Sequence, residues 1–308
     1  MRKAIVTGAN GFVGGAVVKE LAANGVQVYA VVMQSAVNLE SLQQLPGVTV
    51  IYCDLAEYDS LAEKIADKDV DVFYHFAWAG TAGDVRGDEE LQLNNVKYSC
   101  KAVQACAELQ CSKFIFAASI MQYEVAALKQ TNKQMPKASI YCSAKIAADF
   151  MCRALADSLG IQYVSAIISN IYGPGEISPR LINTSIRKLQ AGIPTSFSAG
   201  EQLYDFIYID DAAVMFKAIG EQGANAKNYY IGNKEPRRLK DFLLEMRDVV
   251  APEAEIGLGE LPFDGVSLTY QEFDTNSVYI DTAFKPRVSF AEGIRRTADW
   301  LKTVKEAK

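Results

Sequence analysis

Lys3-Ala4-Ile5-Val6-Thr7-Gly8-Ala9-Asn10-Gly11-Phe12-Val13-Gly14-Gly15 begins as a short apolar strand, breaks into glycines at every third position, and runs on into a helical pattern over residues 16–23. A bound diphosphate needs backbone N–H groups aimed at it from a helix N-terminus, and side chains at the turn would block its approach. In this reading Gly8 makes the tight turn, Gly11 allows the close approach and Gly14 lets helix pack on strand, with Asn10, Phe12 and Val13 filling the turn between them. The spacing is G-x-x-G-x-x-G and not the more familiar G-x-G-x-x-G. The helix closes at Asn24-Gly25, and a second apolar strand over residues 27–32 completes a βαβ unit. The stretch is therefore read as a dinucleotide site.

Outward from it, strand-like and helix-like segments alternate. Further strands are predicted over residues 48–53, 70–76, 113–118 and 163–168, with long helices over about residues 91–110 and 139–159. Strands buried on both faces read as continuous apolar runs, and these do, which predicts a doubly wound parallel α/β sheet of the Rossmann type between helices. Ligands in such sheets lie across the carboxyl ends of the strands. Candidate positions are thus the glycine turn, Met33-Gln34, Asp54-Leu55, Ala77-Trp78-Ala79-Gly80, Ser119 and Asn170.

Composition narrows the function. The 308 residues carry 31 basic and 37 acidic side chains, a net charge of −6, with no Lys/Arg-rich run, which argues against nucleic acid as a partner. The six cysteines form no C-x-x-C pair and His75 is the one histidine, so no metal site is expected. The cysteines read as reduced thiols of a soluble cytoplasmic protein, and no apolar stretch approaches a membrane span.

A second chemical signal is Tyr141-Cys142-Ser143-Ala144-Lys145. Tyr and Lys at i and i+4 share a helix face. A phenol is a poor base near neutrality, but a neighbouring ammonium and a positively charged nicotinamide favour its phenolate. Lys145 could also hold the nicotinamide ribose, and Ser119, at the tip of the fifth strand, would bond the same substrate oxygen as Tyr141. Trp78 and Tyr123 read equally as pocket lining or core. His75 reads as a packed core residue, Cys142 as an inert helix thiol, Asp210-Asp211 as the cap of the helix that follows, and the charged tail, Arg295-Arg296 and Lys302 to Lys308, as a solvated helix end.

With these residues in hand, the chain resembles the extended short-chain dehydrogenase/reductases, the NAD-dependent epimerases and dehydratases that modify nucleotide sugars, over essentially its whole length. The resemblance rests on the glycine motif and the Ser119, Tyr141, Lys145 set. It continues through Asp54-Leu55, Asn95-Val96, Asn170-Ile171-Tyr172-Gly173-Pro174-Gly175, Asp205-Phe206-Ile207-Tyr208-Ile209-Asp210-Asp211, Tyr230-Ile231-Gly232 and Phe284-Lys285-Pro286. It implies hydride transfer at a sugar carbon, usually the fourth, with Tyr141 as acid/base. It also implies a cofactor contacted by residues including Asn95, a substrate lined by Met121, Tyr123, Asn170, Arg180 and Tyr204, and a homodimer formed through the Tyr/Lys helix and the one before it.

The departures are informative. No charged residue occurs between Leu21 and Leu39, so the usual acidic selector for NAD and the Arg selector for NADP are both missing; NAD or NADP remain open, with a lean to NADP because nothing repels a 2′-phosphate and Gln34 and Ser35 could donate to it. Ile120-Met121 replaces the Asp-Glu pair of the 4,6-dehydratases, so water elimination is not expected, leaving an epimerase or a 4-keto reductase. Tyr204 and Ile167 stand where Arg residues commonly clamp the substrate diphosphate, which puts that anchor on Arg180 or Lys188. The expected organisation is an NAD(P)-binding domain of residues 1–170 and 205–232 and a smaller C-terminal α/β substrate lobe of residues 171–204 and 233–308. Two other classes stay open: a non-catalytic NAD(P)-binding sensor or scaffold, and an RNA-associated protein, which the acidic balance disfavours.

Overall fold

The structure, a computed structural model, describes residues 1–37, 39–131 and 133–304; the end of the charged tail lies outside the described residues. In chain order the elements are β1 Lys3–Thr7, α1 Phe12–Ala23, β2 Gln27–Val32, α2 Glu40–Gln43, β3 Val48–Tyr52, α3 Leu61–Lys64, β4 Val72–His75, α4 Glu89–Glu108, β5 Lys113–Ser119, α5 Met121–Leu128, α6 Ser139–Ser158 and β6 Gln162–Ile168. Then follow β7 Asn170–Tyr172, α7 Leu181–Gln190, β8 Thr195–Phe197, β9 Leu203–Tyr204, β10 Phe206–Tyr208, α8 Ile209–Gln222, β11 Lys227–Ile231, β12 Arg237–Arg238, α9 Leu239–Val250, β13 Ile256–Leu258, α10 Ser277–Thr282 and α11 Phe290–Thr303.

Seven strands form one parallel sheet in the order β11-β6-β5-β4-β1-β2-β3, the doubly wound arrangement expected from the apolar runs. Period-two alternation sends Ala4, Val6, Val28, Ala30, Val164 and Ala166 to one face, into a core shared with α1 and α8. It sends Ile5, Tyr29, Val31, Phe114, Phe116 and Tyr163 to the other face, under α4 and α6. The order reverses between β1 and β4, where their carboxyl ends open the crevice that receives ligands in such sheets. The first core continues into the C-terminal region through Phe206, Phe242, Val278, Phe284 and Ile294, where three two-stranded pairs, β7 with β10, β9 with β12 and β8 with β13, accompany α7 and α9–α11.

Strand and helix ends shift by one or two residues from expectation, β4 running Val72–His75 and α4 Glu89–Glu108, and two helices differ more. Helix α1 starts at Phe12 and not at residue 16, so Phe12, Val13, Gly14 and Gly15 belong to the helix; the glycines lower helix propensity, but packing of Gly14 against the preceding turn outweighs it. Helix α5, directly after β5, was not foreseen. One role is also corrected. Asp211 does not cap its own helix, whose N-cap is Tyr208 with no side-chain bond. Its buried carboxylate accepts from the backbone of Arg287 (3.0 and 3.1 Å) and Val288 (3.0 Å), tying the loop before α11 to α8. Asp205, fully buried, plays a similar part, accepting from the Tyr230 hydroxyl and the Asn233 backbone, both at 2.7 Å. Burial pushes its carboxyl up to about 6 against the pull of those donors.

Candidate active site

The turn after β1 is shaped by contacts that exclude side chains. Gly8 has φ +65°, and a Cβ on Gly14 would lie 2.2 Å from the Gly8 carbonyl oxygen. Gly11 is the N-cap of α1 and brings no side chain to it, so the first amides of the helix face the crevice without a side-chain acceptor. The cradle fits a dinucleotide diphosphate, and a methyl group at Gly14 would spoil it.

Beneath the turn runs a chain of hydrogen bonds that has one proton arrangement. Ser99 donates to the Asn95 carbonyl (2.8 Å), so His75 Nε2 must be the donor to Ser99 Oγ (3.0 Å). His75 Nδ1 is then an acceptor, from the Thr7 hydroxyl (2.9 Å), and Thr7 in turn accepts from the Ala77 amide (3.2 Å). Burial, and secondarily the Lys145 charge, lowers His75 to about 3, consistent with a neutral ring. Asn95 completes the network by exchanging two bonds with the Ala79 backbone, 2.8 and 2.9 Å. The predicted candidates Ala77, Trp78, Ala79 and Asn95 thus converge on one loop.

At the far end, Met33 is half exposed and Asp54 Oδ1 accepts from the Gln34 amide at 2.8 Å, holding the loop after β2 against Asp54-Leu55. The Gln34 side chain reaches the Tyr52 carbonyl at 3.4 Å.

Ser119 ends β5, and the buried Tyr141 and Lys145 lie on α6 beside it. Lys145 Nζ donates to the Ala117 carbonyl (2.9 Å) and sits 3.8 Å from the centre of the Trp78 ring. Burial pushes its ammonium down to about 7, with Asp149 opposing. Trp78 also meets Tyr141 edge-on, ring centres 6.0 Å apart, and donates from Nε1 to Gln92 Oε1 at 2.8 Å. Burial raises the Tyr141 phenol above its ordinary value, while Arg86, Ser119 and Arg180 pull it down.

Met121 packs against the cluster that holds Tyr141, and Tyr123 and Tyr204 are, like it, partly buried. Tyr123 packs edge-on against Phe273, ring centres 4.7 Å apart. Asn170 and Arg180 do not present free side chains: Asn170 donates to the Asp205 carbonyl (3.0 Å), and Arg180 pairs with Glu176 (3.2 Å). Sequence reasoning missed Arg86, which lies in a single 3-10 turn, Asp84–Gly87, with its Cζ 4.7 Å from the centre of the Tyr141 ring. The signal available was a lone basic residue in the loop after β4.

The family model of the NAD-dependent epimerase/dehydratases matches residues 4–232. The chain belongs to that family. Among solved structures, this chain is similar to the UDP-N-acetylglucosamine 4-epimerase of Methanobrevibacter ruminantium, determined with UDP-N-acetylmuramic acid: TM-score 0.80, 26% identity, 98% of each chain covered. It is also similar in fold to the UDP-glucuronic acid 4-epimerase of Bacillus cereus in complex with NAD, with TM-score 0.76 and 20% identity over 98% of this chain and 99% of that one. In sequence it is 22% identical, over 96% of its length, to a trifunctional UDP-glucose 4,6-dehydratase/UDP-4-keto-6-deoxy-D-glucose 3,5-epimerase/UDP-4-keto-L-rhamnose-reductase of Arabidopsis thaliana, of which it spans 46%. With the dTDP-glucose 4,6-dehydratase of Xanthomonas campestris the identity is 23%, covering 97% of this chain and 93% of that enzyme. The family's dehydratases therefore stand among its relatives, although Ile120-Met121 follows Ser119 here.

Proposed function

We propose that the protein is an NAD(P)-dependent epimerase or 4-keto reductase acting at C4 of a nucleotide sugar. The observation that carries this reading is the meeting of Ser119, Tyr141 and Lys145 at the carboxyl edge of the sheet, next to a glycine turn built for a diphosphate. The 4-epimerases among its structural neighbours, with their UDP-sugar and NAD complexes, support it.

In this reading the amides at the start of α1 hold the cofactor diphosphate, Met33, Gln34, Asp54 and Leu55 flank its adenosine half, and the segment from Ala77 to Ala79 lies along its other half. The bound nicotinamide supplies a hydride acceptor or donor. Tyr141 takes the proton from the sugar hydroxyl as that carbon is oxidised and returns it on reduction, Ser119 orients the same oxygen, and the Lys145 charge favours the phenolate. Ile120 and Met121 offer neither an acid nor a base, so elimination of water is not proposed. The absence of a carboxylate after β2 supports a lean toward NADP.

The organisation proposed is a cofactor domain of residues 1–170 and 205–232, consistent with β11 closing the main sheet, and a substrate lobe from the remainder. A homodimer through α4 and α6 is supported by the exposed Leu93, Phe150 and Met151 on those helices. No helix among the described residues is long and apolar enough to cross a membrane.

The test is to denature the purified protein and identify released nucleotide by mass spectrometry, alongside titration of the empty protein with both cofactors. Stoichiometric NAD retained through purification indicates a self-regenerating epimerase, and an empty site that prefers NADPH indicates a ketoreductase. A protein that binds neither form overturns the proposal. A non-catalytic sensor is the alternative, distinguished by a Tyr141→Phe variant that behaves as wild type.

A further inference from the structure

Among the described residues Arg86 is a cation without an anion. Its loop is pinned on both sides, by Gln92 Nε2 donating to the carbonyls of Gly80 (3.1 Å) and Val85 (3.3 Å) and by Asp88 capping α4. The guanidinium is thus delivered to the face of Tyr141 by a fixed turn. One terminal nitrogen touches Met121 Sδ and lies 4.0 Å from Cys142 Sγ, and both sulfurs are weak acceptors. Nε is buried, with no partner among the described residues. Among the described residues no carboxylate comes within 4.0 Å of it; Glu124, whose carboxyl burial pushes up while the Arg86 charge pulls it down, stays outside ion-pair distance. The other arginine that acts on the phenol, Arg180, already has Glu176.

A guanidinium with its Nε buried and unpartnered, and with thioether, thiol and ring contacts around it, gains from the arrival of an acceptor, and its planar fork matches an oxyacid. Its position selects the source. With the reacting hydroxyl at Tyr141, the ring substituent on the neighbouring carbon lies next to the phenol, whereas the nucleotide diphosphate leaves from the opposite side of the sugar ring.

We propose that Arg86 binds a carboxylate carried by the sugar next to the reacting carbon, so that the substrate is an acidic, uronate-type sugar. This rests on the nucleotide-sugar reading above. The experiment compares UDP-glucuronate with UDP-glucose on the cofactor-loaded protein, by calorimetry and by kcat/KM, in wild type, Arg86→Met and Arg86→Lys. The expected result is a wild-type preference for the uronate and a loss of about 30-fold for it in Arg86→Met, the scale of a charge-assisted hydrogen bond, with a several-fold smaller change for the neutral sugar. Arg86→Lys, which keeps the charge and loses the fork, should recover part of the loss; it also serves if the Met variant does not fold. Equal losses for both nucleotides, as a diphosphate contact would give, overturn the proposal, as does a wild-type preference for the neutral sugar. If neither nucleotide binds, the nucleotide-sugar reading fails separately. Calorimetry with free galacturonate against galactose then decides on Arg86: acid-selective binding lost in Arg86→Met supports it, and no selectivity overturns it.

Discussion

The ammonium of Lys145 rests on the face of Trp78, 3.8 Å from the ring centre, so that, among the described residues, a buried cation on the same helix as Tyr141 is held by two aromatic rings, Trp78 and, at 5.0 Å, Phe116, and by the Ala117 carbonyl. A cation solvated so thinly is easily neutralised, and this has a measurable signature.

Lys145 is lowered from 10.5 to about 7 in the folded protein, so between those values the unfolded chain binds more protons than the native one and stability rises with pH; below about 7 both states are charged and the native state bears the full burial penalty. Lys145→Met is therefore expected to melt higher than wild type at pH 6, with the gap narrowing toward pH 9. A gap that widens with pH would contradict the assignment. His75 works in another window. Held near 3, it makes stability fall as pH drops below 6.5, where the unfolded imidazole takes up its proton, and His75→Gln should flatten that acid limb.

Gly14→Ala places a methyl group 2.2 Å from the Gly8 carbonyl, a backbone atom that cannot step aside. The expected result is loss of cofactor binding by titration together with a fall of several degrees in Tm, roughly 1–3 kcal/mol of overpacking. Gly25→Ala, by contrast, meets no atom within 4 Å, although φ +75° strains it, and cofactor binding should survive.

Tyr141→Phe removes the transferable proton and leaves the aromatic contacts with Trp78 and Arg86. Turnover is expected to fall about 10²- to 10⁴-fold with cofactor affinity within a few-fold of wild type. Binding and turnover lost together would place the residue in cofactor assembly.

Cofactor choice is tested at Gln34, whose amide is already fixed by Asp54 while its side chain makes only a long contact to Tyr52. Gln34→Asp should shift the affinity ratio toward NAD and Gln34→Arg toward NADP, each by about tenfold or more, the scale of a charge-assisted bond gained or a repulsion added. Ratios that stay put in both variants would show that the ribose lies elsewhere.

Much of this was legible in the chain. Buried parallel strands announce themselves as apolar runs, and glycines required by close backbone approach stand at fixed intervals, so the sheet and the turn at Gly8 could be read directly. Tyr141 and Lys145 were legible because helical spacing alone places them together. What stayed hidden depends on contacts across long separations. Nothing near Arg86 shows that it will cover a tyrosine 55 positions on. Asp211 has the local signature of a helix cap, yet its bonds go to amides 76 and 77 residues away. Asn170 and Arg180 look free until Asp205 and Glu176 occupy them.

The Thr7, His75, Ser99 and Asn95 chain joins the ends of two neighbouring strands to the helix behind them, and every hydroxyl and ring nitrogen in it already has its role assigned. It cannot be reversed without orphaning a member. The crevice is therefore gauged in advance, its opening set by a latch that a ligand finds closed on arrival, and affinity there is not diluted by having to organise the floor on which the ligand lands.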